Sequence, residues 1–182
     1  MTPSSGLSIS NNPDRERSTE RLWDSAISLI SATEKHPFLI GLVKGTLSLD
    51  SFRYYVLQDS IYLHEFADCL QRLSSTPGLP SADALQLQEH ATNTKRAELA
   101  LHENFFKTWN IVPGSEEQNS IGGPAEQEQM PNTLLYTSYM KRVVTTRCHA
   151  EGLAVMLPCY WVYKHIGNCM LKLREELGDR YE

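Results

Sequence analysis

The sequence lacks the features that mark several large classes of protein. No basic run stands out in a chain with a formal net charge of -5, which argues against a nucleic-acid partner. No apolar stretch approaches the roughly 20 residues that cross a bilayer, and residues 1–10 have neither the basic nor the apolar region of a secretory signal. We therefore expect a cytoplasmic protein that binds neither nucleic acid nor membrane.

Cysteine motifs and nucleotide-binding loops are also missing. The four cysteines form no CxxC pair and no disulfide-like spacing, which is typical of reduced thiols in a cytosolic protein. The sequence contains no Walker-type loop, no GxGxxG and no acidic calcium loop. We therefore predict no cofactor.

Two common metal-binding patterns are absent from the sequence. Di-iron helical bundles need Glu-x-x-His pairs, which do not occur, and no two cysteines or two histidines stand at zinc-finger spacing. A haem would need one axial histidine, and six histidines leave that open without supporting it. We predict no metal site. The His and Glu neighbours that fail the di-iron order are His64–Glu65, Glu89–His90, Glu98–His102 and His149–Glu151.

Apolar residues recur throughout at helical spacing, and no segment alternates as a strand would, so the chain is predicted to be all-α. Residues 1–17 are polar and predict a mobile tail, and residues 18–182 predict a single-domain helical bundle. The Pro-, Gly- and Gln-rich stretch 111–132 predicts a polar surface loop.

Helix boundaries follow from caps and breakers. Ser18 is a candidate N-cap, and either Ser48 or Asp50 opens a long helix that runs to Leu73. Thr133 is a candidate N-cap after the polar loop, and Pro158 is expected to bend the last helix. A break is expected near His149–Gly152, and a helix is expected from Ser81.

The long helix over 49–73 carries an unusual carboxylate. Asp59 stands in the middle of its apolar stripe, where a charge is costly unless it is paired or binds something. Tyr62 lies on the same face three residues later, and the two groups together could bind a polar heterocycle. A structural Tyr–Asp hydrogen bond explains these residues equally well, so the two interpretations stay open.

The last predicted helix carries a thiol beside aromatic residues. Cys159 and Tyr163 are four residues apart and share a face, and Cys159 directly follows Pro158. A cysteine there could act as a nucleophile if a base lies near it, although a cysteine on an apolar helix is usually a small core residue.

Seven motifs in order make the sequence recognisable, and together they resemble the TenA family, also called thiaminase II. The match runs from about Leu22 to Leu173. The motifs are His36-Pro37-Phe38, Gly45-Thr46-Leu47, Phe52 to Asp59, Tyr62-Leu63 with Phe66, Glu98 to His102 with Phe105, Tyr136-Thr137-Ser138 and Leu157 to Tyr163.

The resemblance implies a haem oxygenase-like helical fold without metal or other cofactor, and a homo-oligomer, either dimer or tetramer. It implies hydrolysis of aminomethylpyrimidine, or of thiamine, to hydroxymethylpyrimidine in thiamine salvage. Cys159 matches the family's nucleophile and places the chain in the cysteine-bearing branch. Asp59 matches the carboxylate that bonds the pyrimidine, while Tyr62, Tyr136 and Tyr163 match residues that line the pocket.

Two departures from the family pattern lead to further expectations. The loop at 111–132 is similar to an insertion of eukaryotic, fungal-type members. Family members usually continue into further helices that carry a tyrosine and an acid/base glutamate, and no position here matches either, so the C-terminal helices are expected to be absent. The alternative function is therefore a truncated, non-catalytic pyrimidine-binding or interaction protein.

Overall fold

The computed structural model describes residues 13–108 and 129–178, and all regular secondary structure in these two ranges is α-helical. The all-α prediction is confirmed. The helices are α1 (Pro13–Glu34), α2 (Pro37–Val43), α3 (Leu49–Ser74), α4 (Ser81–Thr108), α5 (Pro131–Thr146) and α6 (His149–Leu177).

The first helix begins earlier than the sequence predicted. α1 starts at Pro13 rather than near Ser18, so residues 13–17 are helical and are not part of a tail. Proline suits the first turn because its fixed φ is helical and its missing N–H would have no partner within the helix. Residues 1–12, the rest of the predicted tail, lie outside the described residues.

The fifth helix also begins earlier. Met130 is the N-cap of α5 and Pro131 its first residue, whereas the sequence predicted a start at Thr133 and a loop through residue 132. The backbone N–H of Met130 donates to Oε1 of Gln58 at 3.0 Å, which joins the start of α5 to α3. Residues 109–128, most of the predicted loop, lie outside the described residues.

The remaining predicted boundaries are close to those observed. Ser48 is the N-cap of α3, and its hydroxyl accepts a hydrogen bond from the N–H of Ser51 at 3.2 Å. Gly45, which follows α2, has a φ of 65°, a left-handed conformation that favours glycine. The chain breaks between α5 and α6, as expected near His149.

The described chain forms two compact units, and each is treated by itself. The first contains residues 13–46 and 164–178, and the second contains residues 47–108 and 129–163. A single domain over residues 18–182 stays a prediction.

The core of the second unit is built on α3, which packs against α4 and α5. Helical periodicity places the buried residues of α3 on one face, as the stripe predicted. The first half of α6 contributes Met156, which is 2 % exposed. The buried cluster consists of Tyr62, Phe66, Cys69, Leu70, Leu73, Ala91, Met140 and Met156.

α6 approaches α3 closely at a glycine. A Cβ atom built on Gly152 would lie 2.4 Å from Cδ2 of Leu73, a side chain that is itself only 1 % exposed. One turn before this contact, the N–H of Cys148 donates to Oε2 of Glu151 at 3.2 Å and caps the start of α6. The absent side chain at residue 152 therefore allows the two helices to meet.

None of the helices in residues 13–108 and 129–178 is both long enough and apolar enough to cross a membrane.

Candidate active site

Three polar residues of α3 project toward one region of the second unit. Tyr55, Asp59 and Tyr62 follow each other at steps of four and three and so share a face of the helix. Tyr62 is 8 % exposed, and Tyr55 and Asp59 are half-buried. The carboxylate predicted on the buried stripe therefore lies at its edge, within reach of both protein and ligand.

α6 supplies a thiol and a phenol to the same region. Cys159 is partly buried and packs against the core cluster. Tyr163, one turn further along, is 56 % exposed. Of the site residues predicted from the sequence, Tyr163 is the one open to solvent.

Tyr136 of α5 completes the group. Its ring stacks on that of Tyr62, with centroids 5.7 Å apart and an angle of 13° between the planes. Offset stacking of this kind stabilises an aromatic pair beyond the area that it buries. The structure thus brings Asp59, Tyr62, Tyr136, Cys159 and Tyr163 together, each from the helix on which the sequence placed it.

The electrostatics of the site keep the Cys159 thiol protonated. Burial raises its pKa, the neighbouring hydroxyl of Tyr62 partly offsets this, and the negative charge of Asp59 raises the pKa further. A thiol must lose its proton to act as a nucleophile. Cys159 therefore needs a base or a bound substrate to accept that proton at neutral pH.

The hydroxyl group of Tyr62 has an unusual environment. It lies beside the Cys159 thiol, and burial raises its pKa, so that it remains a hydrogen-bond donor. Its oxygen is buried and makes no hydrogen bond of acceptable geometry with the residues that the structure describes. A buried hydroxyl without a partner costs about 1–3 kcal/mol, so this group is poised to bond a ligand.

Two tyrosines that the sequence analysis did not assign to the site also lie near it. Burial, followed by the charge of Asp59, raises the pKa of Tyr55 to about 12, and a hydrogen bond with Tyr163 partly offsets this. Burial and Cys159 raise the pKa of Tyr160 to about 12. Tyr55 precedes Asp59 by one helical turn, and that spacing is a signal that could have identified it.

Tyr160 is held in place by two neighbours. Its hydroxyl lies 3.1 Å from Nδ1 of His90 on α4, and its ring meets that of Phe66 edge-on at 5.5 Å. These contacts fix the residue that directly follows Cys159 and so restrict the position of the thiol.

A groove of about 490 Å³ lies between α5 and the first half of α6. Tyr136 lines it, but Asp59, Tyr62, Cys159 and Tyr163 do not. Four of the five predicted residues thus lie beside the groove, and Tyr136 lies at its edge. The other lining residues are Tyr139, Arg142, Val143, Thr146, Arg147, Glu151, Ala154, Val155 and Pro158.

Comparison with known proteins accounts for this arrangement. The profile of the TENA/THI-4/PQQC family matches residues 17–182. The chain belongs to this family. The resemblance inferred from the seven motifs is therefore confirmed at the level of the family.

Two TENA/THI-4/PQQC relatives carry the name aminopyrimidine aminohydrolase. The protein of Bacillus subtilis is 40 % identical over 136 residues, which are 75 % of this chain and 54 % of the relative. The protein of Halalkalibacterium halodurans is 32 % identical over 148 residues, which are 80 % of this chain and 61 % of the relative. The matches thus span little more than half the length of each relative.

A solved structure confirms the TenA-type fold. The TenA homologue from P. horikoshii OT3 superposes with a TM-score of 0.72 at 26 % identity, covering 86 % of this chain and 70 % of that one. The fold is therefore the helical, haem oxygenase-like fold that the resemblance implied.

Proposed function

We propose that this member of the family is an aminopyrimidine aminohydrolase, or thiaminase II, of the cysteine-bearing branch. It hydrolyses aminomethylpyrimidine, or thiamine, to hydroxymethylpyrimidine in thiamine salvage. One observation carries the proposal: a thiol, a carboxylate and a buried hydroxyl without a partner lie together beside a stacked tyrosine pair. The names of the relatives from B. subtilis and H. halodurans support the same activity.

The thiol of Cys159 supplies the chemistry. Its sulfur adds to a carbon of the pyrimidine ring, which interrupts aromaticity and allows the exocyclic methylene carbon to release its amine or thiazole. Water then supplies a hydroxyl group to that carbon. The remaining proton of the water goes to the amine, which leaves as ammonia, or to solvent when the leaving group is the neutral thiazole. Departure of the sulfur restores the aromatic ring and returns the proton to the thiol.

The groups around the thiol recognise the ring. The carboxylate of Asp59 accepts hydrogen bonds from the aminopyrimidine, and the hydroxyl of Tyr62 donates one to a ring nitrogen. The Tyr136 ring stacks on or bonds to the pyrimidine, and Tyr163 borders the site on its open side. Because the pKa of Cys159 is raised, the substrate or Asp59 must take up the thiol proton as the carbon–sulfur bond forms.

We extend the proposal to the setting of the enzyme. It acts in the cytoplasm on a small pyrimidine, without metal or other cofactor in catalysis, and assembles as a homo-oligomer. Large apolar side chains are exposed on both units, with Leu29 at 73 % and Leu135 at 72 %, and these are surfaces that an oligomer would cover. Light scattering of the purified protein measures the oligomeric state.

The test compares two cysteine variants. Purified protein is incubated with aminomethylpyrimidine or thiamine, and release of ammonia or thiazole is followed together with formation of hydroxymethylpyrimidine. Cys159→Ser should reduce product to the level of buffer alone while the helical circular dichroism is kept. Cys148→Ser, which removes an exposed thiol, should leave the rate unchanged.

Two results would overturn the proposal. Normal turnover by Cys159→Ser would exclude this thiol as the nucleophile. Binding of hydroxymethylpyrimidine without product from either substrate would favour the alternative, a pyrimidine-binding protein without catalysis.

A further inference from the structure

Three potential metal ligands meet in the first unit, and none belongs to the candidate active site. Glu34 is the last residue of α1, and His165 and Cys169 lie one turn apart on α6. Oε1 of Glu34 lies 2.6 Å from Nε2 of His165 and 3.8 Å from Sγ of Cys169. Sγ of Cys169 lies 3.5 Å from Nε2 of His165.

The three groups do not form a relay of nucleophile, base and orienting acid. Such a relay needs the thiol on one imidazole nitrogen and the carboxylate on the other. Here both Glu34 and Cys169 approach Nε2 of His165. The oxygen, nitrogen and sulfur atoms therefore face a common point, which is the arrangement of ligands around a metal ion.

The separations suit a tetrahedral zinc-type ion. Zn²⁺ binds sulfur at about 2.3 Å and nitrogen or oxygen at about 2.0–2.2 Å, so tetrahedral ligand atoms lie about 3.4–3.6 Å apart. The sulfur of Cys169 is 3.5 Å from the nitrogen and 3.8 Å from the oxygen. Only the Glu34–His165 hydrogen bond, at 2.6 Å, has to open, and it does so by less than about 1 Å.

The surroundings of the cluster contain charge of both signs. Glu34 stands at the negative end of the α1 helix dipole, since the last turn of α1, which lies within the described residues, contains no basic residue, whereas Lys35 and Lys172 place positive charge nearby. The ring of Trp23 meets that of His165 edge-on at 4.9 Å and orients it. The side chains of His165 and Glu34 are 34 % and 31 % exposed, so an ion can enter from solvent.

We propose that Glu34, His165 and Cys169 bind one zinc-type divalent cation and leave a fourth position open to water. Three protein ligands with one open position is the form of a zinc site that can exchange ligands. The proposal is independent of the pyrimidine chemistry of Cys159.

Binding exchanges a proton for the metal. A cysteine binds a metal ion as the thiolate, so Cys169 gives up its proton on binding. The metal forms bonds to Oε1, Nε2 and Sγ, and the thiol proton passes to solvent.

The experiment uses Co²⁺ as a spectroscopic probe and Zn²⁺ as its competitor. The full chain titrated with Co²⁺ should develop a thiolate-to-metal charge-transfer band that saturates at one equivalent and disappears when Zn²⁺ is added. Cys169→Ser should lose the band, and Cys148→Ser, the matched control, should keep it. Glu34→Gln and His165→Gln should each weaken Co²⁺ binding at least tenfold while keeping helical circular dichroism.

Each contrary result overturns the proposal. A band of equal strength in Cys169→Ser, or one lost in Cys148→Ser, would place the metal on another thiol. No band in the unaltered chain would mean that the cluster is an ion pair with a neighbouring thiol only. If Cys169→Ser does not fold, the other two variants decide. Unchanged Co²⁺ affinity in Glu34→Gln and His165→Gln would also mean that the cluster does not bind a metal ion.

Discussion

The rings of Tyr62 and Tyr136 lie nearly parallel, 5.7 Å apart, and join α3 to α5 directly beside Cys159. Tyr62 is buried, and Tyr136 is half-buried and borders the groove. The pair therefore extends from the buried core of the second unit to the edge of the groove.

Replacement of Tyr62 by Phe should raise stability and weaken binding of the pyrimidine. The variant removes a buried hydroxyl without a partner, so the free energy of unfolding in urea should rise by about 1 kcal/mol. Affinity for hydroxymethylpyrimidine, measured by calorimetry, should fall up to about tenfold because one hydrogen bond is lost.

The control for this variant is Tyr139→Phe. Tyr139 lies on α5 and is 58 % exposed. Removing its hydroxyl should change neither the free energy of unfolding nor the affinity for hydroxymethylpyrimidine. A Tyr62→Phe variant that is less stable and binds the pyrimidine normally would show that the hydroxyl has a structural role.

Replacement of Asp59 by Asn should lower the pKa of Cys159. The carboxylate disfavours the nearby thiolate, so its neutralisation should favour ionisation of the thiol. Iodoacetamide labelling of Cys159, followed by peptide mass spectrometry across pH, should reach half its maximal rate at a lower pH than in the unaltered chain. Turnover should nevertheless fall, because the variant loses the carboxylate that we propose bonds the pyrimidine.

Asp83→Asn serves as the control for this change of charge. Asp83 lies in the first turn of α4 and is not among the groups that shift the pKa of Cys159. Its labelling profile should coincide with that of the unaltered chain. A shift of the Asp59→Asn profile to higher pH would contradict the electrostatic argument.

Two glycines of α6 should respond oppositely to alanine. Gly152→Ala places a methyl group against the buried Leu73 side chain and should lower the free energy of unfolding by about 1–3 kcal/mol. At Gly167 an added Cβ meets nothing within 4 Å among the described residues, so alanine should stabilise the helix by about 0.5–1 kcal/mol. Urea unfolding measures both, and a change of the same sign in the two variants would contradict the proposed contact.

The hydroxyl of Ser48 should contribute measurably to stability. It accepts a hydrogen bond from the N–H of Ser51, so Ser48→Ala should cost about 1 kcal/mol in thermal or urea unfolding. Ser48→Asp retains a hydrogen-bond acceptor at the N-cap and should therefore keep most of the stability that Ser48→Ala loses. Equal losses in the two variants would mean that the cap hydrogen bond is not the cause.

Much of the fold and of the candidate site could be predicted because helical spacing is a local property. The steps of three and four on α3 placed Asp59 and Tyr62 on one face, and the step of four on α6 did the same for Cys159 and Tyr163. The meeting of these α3 and α6 residues in space could not be predicted from their spacing along the chain. It required the seven-motif resemblance, because residues a hundred positions apart meet only through tertiary packing.

Two kinds of feature escaped the sequence analysis. Pro13 and Pro131 begin helices, while the prediction placed them in a tail and a loop, because proline suits both a first turn and a loop. The cluster of Glu34, His165 and Cys169, for which we propose a metal ion, was not anticipated because Glu34 lies 131 residues from His165 along the chain. Only His165 and Cys169, at i and i+4 on one helix, gave a local signal.

The close approach of Gly152 to Leu73 also limits how the sequence can change. A side chain at residue 152 would occupy space that the buried Leu73 side chain already fills, so a change at one position restricts what fits at the other. A larger residue at 152 is compatible with this helix packing only when a smaller one replaces Leu73. Among relatives we therefore expect covariation between these positions, and in a double-mutant cycle Leu73→Val should recover part of the stability lost in Gly152→Ala.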